Sequence, residues 1–221
     1  GIDVVGGCPN LDPDPIACTH ELLSLAAEAE LPIDLHTDET LDPSHLELEL
    51  LADAVSSSGF EHGATASHCV SLSMQTEAVQ RRVAEKVAAA GVNVVALPQT
   101  NLFLQARGIN VAPPRGLTAT AVLDAAGANV CAGADNLQDP FCTVGRADPL
   151  ETAALMVMAG HDRPELAYER VSSMTRTAIG LPGNGDILAI KATTVREAVA
   201  TASTDRIVIR NGRVVAGTLP D

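Results

Sequence analysis

Short apolar runs alternate with longer amphipathic stretches through most of this chain. "GIDVVGG" is an apolar run closed by glycines, and a helix is predicted from about Pro15 to Glu30. "PIDLH" follows, then a helical pattern in "SHLELELLADAV", then "ATASHCV". The next helix, "EAVQRRVAEKVAAA", stops at Gly91, the residue type that ends a helix in the left-handed conformation. "VNVVALP" precedes a long loop containing "APPRG", which leads to the helix "TATAVLDAAG" and the strand "ANVCAGAD". "LETAALMVMAG" reads as a core helix.

The predicted strands end near Val5, His36, His68, Leu97 and Asp135. One βα unit takes roughly 30 residues, so the spacing predicts consecutive parallel strands joined by helices. The runs read as apolar on both faces, as in a sheet covered by helices. A doubly wound sheet and a (β/α)₈ barrel both satisfy that pattern. The barrel is preferred because His36 with Glu39, His68 and Asp135 lie at the ends of three different strands, and a barrel gathers such ends on one face. A dinucleotide-binding sheet would place GxGxxG after its first strand, where this chain has "GGCPN". Residues 1–180 are therefore expected to form barrel, and 181–221 a small β-element. In the latter, "DILAI" is a strand and "TVREAVA" a short helix. "RIVIRNGRVVAG" is a hairpin turning at Asn211-Gly212, where both positions favour positive φ.

Composition removes several function classes. A formal charge of −14 opposes binding to nucleic acid or anionic membrane. No apolar run reaches the ~20 residues of a membrane span. Five cysteines (Cys8, Cys18, Cys69, Cys131 and Cys142) without close spacing suit reduced thiols and a cytoplasmic location. Aromatic residues are 2% of the chain, too few for stacking platforms.

His36 is the first residue with chemistry to offer, since neutral imidazole ligates Zn²⁺ or Fe²⁺. Its bland reading is a hydrogen-bonded core histidine. Glu39 shifts the balance, because a carboxylate beside a metal-activated water can shuttle protons. His68 is placed to hydrogen-bond the nucleophile or substrate, or else packs beside Cys69. Asp135 is placed to ligate a metal and accept a proton, or else caps a turn. Four such residues at the ends of three strands favour a shared site. His20, His45, His62 and His161 read as solvated, Asp38 as a brace for the loop after His36, and Cys69 as facing away from His68. Glu47, Glu49, Arg81, Arg82, Glu85 and Lys86 read as solvent faces of outer helices, with Arg82 and Lys86 spaced for pairs within their helix.

"IDLHTDE", "SHCVSLS", "NLFLQARG", "RGLTATAVLDAAGANVCAGADNLQDPF" and "GDILAI…IVIRNGRVVAG" together resemble the amidohydrolase superfamily, especially its cytosine deaminase branch. The resemblance implies a distorted (β/α)₈ barrel, strands four to eight being present here, with part of a β-sandwich. It implies one divalent metal, Zn or Fe, held by His36 and Asp135. Glu39 would be the proton shuttle, His68 would polarise substrate or nucleophile, and Asp135 would also be general base. Asn136 and Phe141 would shape the base pocket. The branch carries an acid where Asn136 stands, which points beyond cytosine to related cyclic amidines, and a histidine where Ala134 stands.

The superfamily draws two further metal ligands from an HxH motif, and no HxH occurs in this sequence. The missing ligands, and a glutamine that helps bind the base, are expected from an N-terminal part of the same protein. The expected function is hydrolytic deamination of cytosine or a nucleobase-like cyclic amidine. Water activated by the metal would attack the C–N carbon, and ammonia would leave. A ring-opening or N-dealkylating hydrolase on the same scaffold is the enzymatic alternative, and an inactive truncated barrel serving as a binding module is the other. The expected partners are a small heterocycle, the N-terminal portion and further copies of the chain in a homo-oligomer.

Overall fold

The computed structural model describes residues 1–181 and 185–217. Five short strands form one sheet: β1 (Val5–Gly7), β2 (Ile33–Thr37), β3 (Ala64–His68), β4 (Asn93–Ala96) and β5 (Val130–Ala132). Their spatial order is their chain order, and every neighbouring pair is parallel. The connections run through α1 (Pro15–Ala29), α2 (Glu47–Ser58), α3 (Glu77–Ala90) and, between β4 and β5, α4 (Pro98–Leu104) and α5 (Thr120–Ala126). This steady progression is the barrel pattern, without the order reversal of a doubly wound sheet. Among the described residues β1 and β5 are paired on one side only, so the five strands form an open arc, as expected of strands four to eight of a barrel without the first three.

The helix ends follow local chemistry. Asp14 and Thr76 accept hydrogen bonds from Ala17 N and Val79 N as N-caps of α1 and α3. Gly91, with φ +67°, closes α3 where the sequence placed its stop. Inside the arc of helices, Ile33, Leu35, Ala64, Ala66 and Val94 meet Leu48, Leu51, Val55, Val83 and Val87. Each large aliphatic chain buried there contributes about 1.5–3 kcal/mol.

The strands are not apolar on both faces as expected. Asp34 lies beside Thr65 and His36 beside Ser67 in the β2–β3 register, so these polar residues share the face opposite the helices. Ser67 Oγ donates to Asp34 Oδ1 at 3.2 Å. The concave side of the arc is therefore polar even below the strand ends.

A second core joins Ala96 and Ala132 to Leu150, Ala153 and Met156 of α6 (Pro149–Met158) and Ala167 of α7 (Pro164–Arg170). α8 (Ser173–Ala178) follows, and α9 (Val195–Thr201) places Val199 in that same core. β6 (Ile187–Ile190), β7 (Arg206–Arg210) and β8 (Arg213–Ala216) make a separate antiparallel sheet. Asn211 and Gly212, at φ +50° and +73°, turn the expected hairpin. Arg206 spans to Asp148, the N-cap of α6, with Nη2 2.7 Å from Oδ2, and that pairing holds the Asp148 carboxyl below its usual range. Of the expected segment 181–221, residues 182–184 and 218–221 lie outside the described residues. No helix among the described residues is long and apolar enough to cross a membrane.

Two surface expectations are corrected. Glu47 is buried, and His45, read as solvated, approaches its carboxylate with Nδ1 3.0 Å from Oε1. Arg82 and Lys86 pair across to α2 and not within α3. Arg82 grips both Glu49 oxygens at 3.0 and 2.9 Å, and Lys86 reaches Asp53 at 2.8 Å. The Arg82 guanidinium, helped by Lys86, lowers the Glu49 pKa to about 2. A depressed carboxylate stabilises the fold above its unfolded pKa and loses that contribution as pH falls through the folded one. The stability gap between wild type and E49Q is thus expected to be constant above about pH 5 and to close between about pH 4.5 and 2. Solvent screening keeps it to about 1 kcal/mol or less. Denaturant titrations of both proteins across that range check it, and a gap that widens on acidification contradicts it.

Candidate active site

Two histidines meet where β2 and β3 end. His36 Nδ1 and His68 Nε2 are 2.8 Å apart, and the ring centroids 4.9 Å. His36 lies on the concave face, as its alternation with buried Leu35 and Thr37 requires. His68 does not follow from alternation, because in register it pairs with Thr37, a position on the helix side. Its φ of +70° breaks the strand geometry and lets the ring reach His36. Cys69 Sγ lies 3.2 Å from Thr37 Oγ1 in the apolar core, away from the site, and burial pushes its thiol pKa up.

Asp38 and Asp135, flanking the site, have φ of +54° and +64°. Asp38 is fully buried and accepts from Glu47 N at 2.7 Å and Leu48 N at 3.1 Å, so it docks the loop after β2 onto the start of α2. Burial and the neighbouring Glu47 push its pKa well up. With that brace in place, Glu39 Oε2 stands 3.6 Å from His68 Nε2. Asp135 Oδ2 stands 3.7 Å from the same nitrogen. β5 stops at Ala132, so Asp135 sits in the loop beyond the strand and not at its last residue.

His36, Glu39 and His68 each present a ligand atom, and these lie within 4.8 Å of one another. Two imidazoles and a carboxylate are a donor set that suits Zn²⁺ or Fe²⁺. Asp135 was the expected second ligand; in this arrangement it flanks the group through His68. Burial lowers the His68 pKa, while the Asn101 hydrogen bond and the charges of Glu39 and Asp135 act against that shift. A recess of about 250 Å³ adjoins the site, lined by residues including Asp34, His36, Ser67, Leu97 and Asp135.

The two expected pocket residues diverge. Asn136 donates from Nδ2 to Asp139 at 2.8 Å, and its Oδ1 accepts from Thr100 at 3.3 Å, so its amide is engaged within the loop. Phe141 is 56% exposed, on the outer side of that loop. Sequence reasoning missed Asn101, whose Oδ1 is 2.9 Å from His68 Nδ1, and Thr118, whose hydroxyl donates to the His68 carbonyl at 2.5 Å. It also missed Asp34. "NLFLQARG" and "RGLTATAV" were distinctive strings, but nothing in them indicated which residue turns inward.

The chain is similar to several known proteins. A pterin deaminase of Rhizobium rhizogenes is 36% identical over 99% of this chain and 52% of its own length. The structure of 5-methylcytosine deaminase from Klebsiella pneumoniae liganded with 5-fluorocytosine superposes with a TM-score of 0.89 at 28% identity, over 100% of this chain and 57% of that one. N-isopropylammelide isopropylaminohydrolase from Burkholderia multivorans gives 0.80 at 26% identity, over 98% and 56%. The chain thus spans about half the length of the relatives it matches. The amidohydrolase family model matches residues 6–216, and the chain belongs to the amidohydrolase family.

Proposed function

We propose that this chain carries part of the active site of a metal-dependent hydrolase that removes ammonia from a cyclic amidine in a small nitrogen heterocycle. The observation that carries the reading is the convergence of His36, Glu39 and His68 within 4.8 Å at the ends of neighbouring strands. His36 would hold the metal together with Asp135, and with further ligands from an HxH-bearing portion outside this span. When bound, such a metal lowers the pKa of its water towards neutrality. Asp135 would accept a proton from the attacking water and pass it to the departing amino group, which leaves as ammonia. Glu39 would deliver a proton to the ring nitrogen, and His68 would steady charge developing on the attacking oxygen. An amide at Asn136, where the branch it resembles carries an acid, points to an amidine other than cytosine itself. Asn136, now held by Asp139 and Thr100, and the exposed Phe141 would have to turn inward to border the base. Pterin and 5-methylcytosine, the compounds in the names of two of the related deaminases, both present an amino group on a ring amidine, as isocytosine does.

The remaining portion also covers the open β1 and β5 edges, because unpaired parallel edges associate readily. Zinc or iron is the metal, the location cytoplasmic, and the assembly a homo-oligomer under the same reading. With Glu39 and His68 kept for proton transfer, His36 and Asp135 are the two metal ligands of this span, so alone it is expected to bind metal weakly and to lack turnover. A second reading, hydrolysis of an N-alkyl substituent, is favoured by the likeness to the isopropylaminohydrolase.

A product assay on the intact, metal-loaded protein decides. Ammonia release from pterin, isocytosine or 5-methylcytosine, with the ring intact and chelator-sensitive, is the expected result. Alkylamine release from an N-alkylated triazine, with no ammonia from the amidines, would establish the second reading instead.

A further inference from the structure

The short helix α4 and the residue that follows it make hydrogen bonds to all three segments that carry the proposed site. Asn101 faces His68. Gln105, the residue after the helix, donates through Nε2 to the Glu39 carbonyl at 3.1 Å. Thr100 accepts from Asn136 N at 2.9 Å and donates to the Ala134 carbonyl at 3.2 Å, gripping the backbone on both sides of Asp135. Thr100 and Asn101 are fully buried, although both are polar residues with good solubility in water. Burying such groups is costly unless each does something with its hydrogen bonds.

Asn101 does more than anchor. Its Oδ1 faces His68 Nδ1, while its Nδ2 is buried without a hydrogen-bond partner among the described residues. In this orientation of the amide His68 Nδ1 carries the hydrogen. A neutral His68 then has a bare Nε2, and the hydrogen shared with His36 at 2.8 Å comes from His36 Nδ1. The bare Nε2 also faces Glu39 at 3.6 Å and Asp135 at 3.7 Å. With the opposite tautomer, His68 would present an N–H to His36 and leave Asn101 Oδ1 without a hydrogen.

We propose that Asn101 is a positioning residue that fixes His68 as its Nδ1–H tautomer, so that Nε2 is left as the acceptor of the His36 Nδ1 hydrogen, and that α4 with Gln105 sets the three segments of the site in register. The kinetic part rests on the deaminase reading; the tautomer does not. Leucine at Asn101 fills the same buried volume without an acceptor, whereas aspartate restores one.

The test is imidazole ¹⁵N–¹H correlation spectroscopy of the intact protein at neutral pH, metal-free and zinc-loaded, on wild type, N101L and N101D. The expected result is an Nδ1–H pattern for His68 in wild type and N101D, and its loss in N101L. On whichever amidine proves to be substrate, kcat should fall about 10- to 100-fold in N101L with KM changed less than about threefold, and N101D should recover most of it. An Nε2–H pattern for His68 in wild type overturns the proposal, and needs no variant to fold. An unchanged His68 pattern in a folded N101L overturns it as well. If no amidine is turned over, the spectra still decide the tautomer, so the two failures are distinct.

Discussion

Replacing Glu39 by Gln is expected to lower kcat by about 10²- to 10⁴-fold with the bound metal retained, the range that one positioned proton-transfer group supplies. The substitution keeps the size and planarity of the side chain and removes only its ability to exchange a proton. Glu39 is placed for that task by its setting. Asp38 ties its loop to α2, Gln105 holds its carbonyl, and its carboxylate oxygen points to His68 Nε2 at 3.6 Å. It is also one of the three groups within ligand distance of each other, so a role in holding metal is the competing account. The two accounts separate on a pair of measurements. A shuttle predicts lost turnover at unchanged metal content, whereas a ligand predicts that both fall together. Turnover near the wild-type value would remove Glu39 from the chemistry.

Arg170→Met is expected to destabilise the intact protein by about 3–5 kcal/mol, the cost of breaking a buried ion pair from one side. The Arg170 side chain is completely buried where α7, α5 and β5 converge. Its guanidinium donates to Asp162 at 2.6 Å, to Asp124 at 2.5 Å and to the Val130 carbonyl at 2.8 Å. Burial opposes its charge, but the two carboxylates outweigh that and raise its pKa. Methionine fills most of the volume and leaves Asp162, itself nearly buried, with no counter-charge. Lysine would keep the charge without the fork that serves three acceptors at once, and should fall between. Chemical denaturation of the three proteins measures this. A loss below about 1 kcal/mol for the methionine variant would mean that the network contributes little beyond packing.

No feature of the local sequence marks Arg170 as buried; it sits in "LAYER", which reads as an ordinary amphipathic turn. The same limit recurs at the site. His36 was readable, because its place in "PIDLH" fixes both the strand and the concave face it takes. Asp38 was readable as a brace, being a short acceptor just after a strand. His68 was readable as a candidate, but strict alternation assigns it to the wrong face, and only its left-handed backbone corrects that. Arg82 and Lys86 have spacing that permits pairs within α3, yet their partners lie on α2. Asn101 lay inside a recognisable string without a sign that it turns towards a histidine 33 positions earlier.

By itself the sequence determined the alternation of the five parallel strands with α1, α2, α3 and α5, the stop at Gly91, the hairpin at Asn211-Gly212 and the candidates His36, Glu39, His68 and Asp135. These follow from periodicity, capping and side-chain chemistry, all of which act over a few residues. It read α4 as loop and did not mark α7 or α8. Tertiary structure decided which strand faces are polar, how far Asp135 lies beyond β5, which charges pair between helices and what holds His68. Each of those depends on which distant segment comes within about 3 Å, the reach of a hydrogen bond. Packing of the whole chain sets that distance, and no local pattern encodes it.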